Sequence, residues 1–348
     1  MFYIRFLKTP KLEGDRVTAL ITITTDLGEK FLSKDVILSA DIERAHAPGI
    51  FASKDINWAC TSRCLPISIS IKWQSIQWPV RLHLRAKEPS NQEFHLLQTL
   101  PSIIPVWSNI LDPTKGICQS ERTLQRRFKV NQQTFVVWEE AGESIARHIW
   151  DAGVALTICL GQLMNEEFQR LALVNKISKI LDSGDSKAIE LGCGCGLVGI
   201  SFALSFLNCS MTLTDLPEVT EILGRSITEL DPSVSSRISF EPLNWDKALP
   251  ESVLYNDFDL ILVADCTYNS DSSPALVETI SNLVKRSPGA LTVVAMKVRH
   301  PSEAVFFELM SKAGLAIASH VEIPLASDVS DNEVPESIDV YCFSAPDQ

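Results

Sequence analysis

Ala188-Ile189-Glu190-Leu191-Gly192-Cys193-Gly194-Cys195-Gly196-Leu197 sets an acid and then three alternating glycines where a strand would turn into a helix. The residues leading in, 187–191, are short, apolar and bounded, as a buried parallel strand should be. The residues leading out, 197–206 (LVGISFALSF), are apolar all round and predict a buried helix. Glycine has no side chain to hold a ligand off the main chain, so a strand, a glycine loop and a helix together make a cradle for a flat or charged cofactor.

The next apolar run, 209–213, ends in Thr214-Asp215-Leu216-Pro217, which puts Asp215 19 residues beyond Gly196. That is about the spacing of ~20 at which a second-strand carboxylate meets ribose hydroxyls in doubly wound nucleotide folds. Asp215 would also serve as the N-cap of a helix opened by Pro217. Gly194-x-Gly196-x-x-Gly199 satisfies the dinucleotide fingerprint too, so a nicotinamide oxidoreductase enters as a rival reading. Glu190 weighs against it: a carboxylate at the strand end repels a pyrophosphate and suits a cofactor with an ammonium group.

Working outward, strands are expected at 187–191, 209–214, 236–242, 258–264, 290–297, 315–323 and 337–344, with helices at 197–206, 217–229, 273–286 and 302–313. Strands separated by helices imply a doubly wound parallel sheet. Only a polar loop, 326–336, separates the last two strands, so the final strand should return antiparallel. The fold expected is α/β: a Rossmann-like, seven-stranded, mostly parallel sheet with an antiparallel last strand. Ahead of it, 126–137 predicts a hairpin with Asn131-Gln132-Gln133 at its tip, and 143–166 a long helix containing Trp150. Strands at 2–7, 16–24, 36–40, 66–73 and 79–85 predict an N-terminal β-rich region, 1–119, in front of a second region, 120–348.

Several function classes recede on composition. Hydrophobic residues make up 45 % of the 348, enough for a sizeable core, and no apolar run reaches the ~20 residues that span a bilayer. Residues 1–20 carry charges and a proline and do not read as a signal peptide. Nine scattered cysteines, five of them in or beside the expected core elements and glycine loop, fit a reducing compartment, cytoplasmic and/or nuclear. Cys60-x-x-x-Cys64 lacks further ligands at zinc spacing and the six histidines form no ligand pattern, so no metal is expected. The net charge of −12 divides unevenly, +4 over residues 1–149 and −16 over the rest. An acidic face repels nucleic acid and attracts basic targets.

The fourth strand runs into Ala264-Asp265-Cys266-Thr267-Tyr268, at the sheet edge where open α/β sheets bind ligands. Asn244 and Trp245 follow the third strand at the same edge, where an indole could pack against a purine. Four successive strands thus each end in a residue suited to one part of one cofactor. These motifs, E-L-G-C-G-C-G, T-D-L-P, L-N-W and A-D-C-T-Y, preceded by I-W-D-A-G, resemble the class I, seven-strand methyltransferases of family 16, many of which methylate protein lysines. The resemblance covers roughly residues 120–348. It implies S-adenosyl-L-methionine as cofactor and a protein substrate with a basic lysine site. It also implies that Glu190, Gly192, Gly194 and Gly196 surround the cofactor's amino-acid portion and that Asp215 holds its ribose. By the same resemblance Asn244 and Trp245 contact adenine, Ala264 lines the pocket, and Trp150 packs on the cofactor. Asp265-x-x-Tyr268 matches the family's acid-x-x-aromatic substrate motif. Asp246 stands where the family often has glycine, and residues 1–119 match nothing in it. A small-molecule N-methyltransferase and a non-catalytic cofactor-binding interaction protein are the alternatives.

Overall fold

The computed structural model describes residues 1–87, 102–130, 133–142, 144–162, 172–181, 184–325 and 336–345. Its seven-stranded sheet runs in the order Ile238–Pro242, Ser210–Asp215, Lys187–Leu191, Leu260–Ala264, Leu291–Met296, Ser337–Ser344, Ala316–Pro324. The first five are mutually parallel, and Ser337–Ser344 alone runs antiparallel to both neighbours. That is the α/β sheet expected, with its returning last strand slotted between the fifth and sixth.

Alternating side chains of the buried strands feed two cores. Leu260 and Leu262 face one side with Ala188, Val293 and Val340, against helices Asp151–Gln162 and Leu197–Ser205. Ile261 and Val263 face the other, against Leu276 and Ile280 of Ser273–Arg286 and Phe306 of Ala304–Lys312. Every residue of Leu197–Ser205 is buried, because it is packed between the sheet and Asp151–Gln162. At its start Gly199 is in contact with the sheet: a Cβ there would lie 2.1 Å from the Leu213 side chain.

The N-terminal strands form two further sheets, one of four strands and one of six. Their shared core is built from Ile4, Ile21, Ile23, Leu38, Trp58, Leu82 and neighbours. The hairpin Thr123–Val130 and Gln133–Glu140 closes one edge of the six-stranded sheet; of its expected tip, Asn131 and Gln132 lie outside the described residues. Tyr3, Ile104, Phe128 and Val137 enter the same core as Val154, Leu156 and Phe202, so the β region and the α/β sheet are packed through one apolar interface.

Two expectations are corrected, and one strand is added. The helix expected over 143–166 begins at Asp151, after a single 3-10 turn at Ile145–Arg147, and 163–166 lie outside the described residues. Glu139 accepts a hydrogen bond from the Ile149 N–H and His148 is extended, which holds this stretch open instead of coiled. The strand expected over 66–73 ends at Ser70, and Trp73 sits in a 3-10 turn with its indole N–H donating to the Gly14 carbonyl. An unexpected strand, Ile50–Trp58, pairs with Val36–Arg44 as the sheet edge, its Ser53-Lys54-Asp55 centre exposed.

Candidate active site

At the carboxyl ends of the four strands Lys187–Leu191, Ser210–Asp215, Ile238–Pro242 and Leu260–Ala264 lies one pocket of about 420 Å³. Its lining includes Trp150, Glu190, Gly192, Gly194, Asp215, Asn244, Trp245, Ala264, Asp265 and Tyr268. Gly196 is the one site residue expected from sequence that does not line it; it is the left-handed N-cap of Leu197–Ser205 beneath the loop.

The glycine loop is held by its own backbone. Gly194 has φ +51°, its N–H donates to Asp215 Oδ2 at 2.7 Å, and a Cβ on it would lie 2.9 Å from the Ala146 carbonyl oxygen. Asp215 Oδ1 accepts from the Leu216 N–H at 2.7 Å. Each oxygen of that carboxylate keeps a second lone pair for a ligand hydroxyl. Burial raises the Asp215 pKa, with the two amide hydrogen bonds opposing it. Glu190 is fully inside, accepts from the Gly199 N–H at 2.8 Å, and is pushed up to about 8 by burial. Burial disfavours the Glu190 anion, and a cation placed beside it would favour that anion again.

On the far wall Trp245 lies against Gly192, 3.3 Å from where a Cβ would stand, and its Nε1 is buried without a hydrogen-bond partner. Asn244 turns its Oδ1 back to the Asp246 N–H. Trp150 is tied by its Nε1 to the Ile145 carbonyl, which fixes the indole over the opening.

The acid end differs in kind. Asp265 has φ +57°, a left-handed conformation that Asp tolerates better than most residues. Its carboxylate is gripped by both terminal nitrogens of Arg299, with Nη2 at 2.7 Å from Oδ2. Burial raises the Asp265 pKa, and Arg299 works against that. Tyr268, 49 % exposed, stands at the mouth. Five carboxyls line the pocket (Glu190, Asp215, Glu218, Asp246, Asp265), and among the described residues no Lys or Arg does. Such a hollow favours cationic occupants.

A family model described as lysine methyltransferase matches residues 129–313. The chain belongs to that family. The likeness extends to protein N-lysine methyltransferase METTL21A of Xenopus tropicalis, 33 % identical over 174 residues, which cover 50 % of this chain and 69 % of that protein. Protein-lysine N-methyltransferase EFM6 of Saccharomyces cerevisiae is 28 % identical over 189 residues, 51 % of this chain and 74 % of that one. A UPF0665 family protein of Schizosaccharomyces pombe, C23C4.06c, is 24 % identical over 314 residues, 88 % of this chain and 91 % of its own, and so takes in much of the N-terminal region. For a family member the motifs at Glu190, Asp215, Trp245 and Asp265 stand where one sheet edge gathers them. Sequence reasoning missed Ala146 and His148, which line the pocket from the stretch expected to be helical, and Arg299, which meets Asp265 from beyond the fifth strand.

Proposed function

We propose that this protein transfers a methyl group from S-adenosyl-L-methionine to the side-chain amine of a lysine in a protein substrate. The observation that carries the reading is the single pocket that joins a glycine cradle to a buried acid and a half-exposed phenol at its mouth. The residues fit the cofactor on this structure's own terms. The backbone at Gly192 and Gly194 leaves no room for a Cβ, Glu190 awaits an ammonium, Asp215 has lone pairs for a ribose diol, and Trp245 offers an indole face and an unpartnered N–H. In this reading Gly192, Gly194 and Gly196 shape the amino-acid end, Asn244 and Trp245 take the adenine, and Ala264 and Trp150 close over the middle.

When bound, the sulfonium supplies a methyl carbon open to in-line displacement by an amine nitrogen. Everything else is placement. A lysine amine attacks only when neutral, and its ordinary pKa is about 10.4; burial beside the positive sulfonium would disfavour its charged form, and the proton would leave to solvent through the open mouth before attack. Asp265 accepts a hydrogen bond from the amine and sets its lone pair towards the methyl carbon. Tyr268 packs along the incoming side chain and attracts it while it is still an ammonium. The mouth open beside Tyr268 suits a side chain on a protein better than an enclosed small molecule.

The test is incubation with labelled S-adenosyl-L-methionine and a lysate of cells lacking this protein, followed by mass spectrometry of labelled bands. Methyl-lysine in one or a few proteins is expected. Label confined to small molecules, or no transfer at all, overturns the reading.

A further inference from the structure

Asp265 is held by Arg299, and Arg299 is held in turn from outside the α/β sheet. Its Nη2 donates to Asp26 Oδ2 at 2.8 Å as well as to Asp265. Asp26 belongs to the turn that follows Arg16–Thr24 in the N-terminal region and is itself fixed there. The Leu27 N–H donates to its Oδ1 at 3.0 Å, and Arg5 Nη2 donates to its carbonyl oxygen at 2.7 Å. Arg299 is pinned at its backbone too, since Glu303 accepts from both its N–H and that of His300. Lys297, two residues earlier, joins the same cluster, 3.6 Å from Asp26 Oδ1 and 2.9 Å from Asp151 Oδ2. Tyr3, from the first strand, donates its hydroxyl to Asp151 Oδ1 at 2.9 Å. Asp26, Asp151 and Asp265 are buried. Such groups keep their charge only if every partner stays in place.

We propose that Asp26 is a positioning residue of the methyl-transfer site: it grips Arg299 from the N-terminal β region so that the guanidinium presents the Asp265 carboxylate to the pocket. The β region is then part of the catalytic apparatus, although none of its described residues lines the cofactor pocket. Bidentate pairing with Arg fixes the plane of a carboxylate as Lys cannot. With both Arg299 terminal nitrogens committed to the two acids, Asp265 keeps one orientation and a lone pair on each oxygen for the incoming amine. Arg299 also lies over the Trp150 ring, its Cζ 5.9 Å from the centroid, so the same cation also steadies Trp150.

This inference rests on the proposed methyl transfer, and its test separates the two. Asp26→Asn, Arg299→Met and Arg299→Lys are compared with the unaltered protein in three measurements. These are methyl-transfer rate at saturating labelled S-adenosyl-L-methionine with lysate protein, calorimetric affinity for that cofactor, and the pH titration of the Asp265 carboxyl carbon by NMR. Arg299, Asp26, Asp151 and Lys297 are the charges that face that carboxyl or its partner. Asp26→Asn should slow transfer about 10- to 100-fold, the scale of a misplaced catalytic group, with cofactor affinity within about twofold. It should move the Asp265 midpoint up, and Arg299→Met should move it further, because the Arg299 contacts that hold the midpoint down are loosened and outweigh the lost repulsion from Asp26. Arg299→Lys should not restore the rate.

General loosening of the fold would expose Asp265 and lower its midpoint, and loss of the Asp26 charge alone would lower it too, so upward shifts in both variants are the signature of the link. Asp26→Asn at the unaltered rate, or with the Asp265 midpoint unmoved or lowered, overturns the inference. If the unaltered protein transfers no label, the proposed activity falls, and the titration still decides whether Asp26 governs Asp265.

Discussion

The two ends of the pocket are built on different plans. The cradle end is local: Glu190, Gly192, Gly194 and Gly199 fall within ten consecutive residues, and backbone N–H groups make its internal bonds to Glu190 and Asp215. The acid end is assembled from positions 26, 151, 265, 297 and 299, held together by ion pairs between segments far apart in sequence. Local backbone geometry tolerates distant change, while a charge network fails when any one member moves. The cradle should therefore bind cofactor in proteins whose acid end has been disabled.

The largest effect is expected where distant segments are pinned most deeply. Arg126 is fully buried, pairs with Glu139 at 2.6 Å, and donates to the carbonyls of Ile4, Ile104 and Pro105, while Glu139 accepts from Ile149 just ahead of Trp150. Arg126→Ala strands a buried carboxylate and should cost about 3–5 kcal/mol of stability in chemical denaturation. A loss under about 1 kcal/mol would mean that the β region is joined to the site more loosely than its contacts imply.

Next in size is the pH dependence of Glu190. Its folded carboxyl titrates near 8 against an ordinary 4.5. A raised acid contributes stability that is complete below the unfolded pKa and is lost as pH rises through the folded one. Glu190→Gln keeps an acceptor for Gly199 and has no proton to lose. It should therefore gain on the unaltered protein by about 2–4 kcal/mol between pH 5 and pH 8.5, read as unfolding free energy. Cofactor binding at pH 7 should release a proton in the unaltered protein and not in Glu190→Gln, seen by calorimetry in buffers of different ionisation enthalpy.

Gly194→Ala sharpens the cradle side. Its left-handed φ and the Ala146 oxygen 2.9 Å away should together cost about 1–3 kcal/mol of stability, read as a lower melting temperature accompanied by weaker cofactor binding. Tyr268→Ala should have the smallest effect, about 0.5–1 kcal/mol, seen in KM for the protein substrate and not in cofactor affinity, because the ring is half exposed.

The same contrast decides what could be read in advance. The sheet, its returning last strand and the cradle were legible because apolar runs, glycine spacing and strand-end acids are local signals. The Asp215 position followed from a distance along the chain, and Trp245 and Asp265 from their places after strands. Arg299 and Asp26 carry no such mark, since nothing local brings residue 26 to residue 299. The strand Ile50–Trp58 escaped because, as a wet sheet edge, it shows no apolar alternation. The helix expected from 143 starts at Asp151 because a hydrogen bond from Ile149 to distant Glu139 overrides local propensity.

Asp265→Ala, measured for cofactor affinity and for single-turnover methyl transfer on one preparation, tests the division of the pocket most directly. Affinity should stay within a few-fold of the unaltered protein while transfer falls beyond detection. Affinity and transfer falling together, or transfer persisting, would contradict that division.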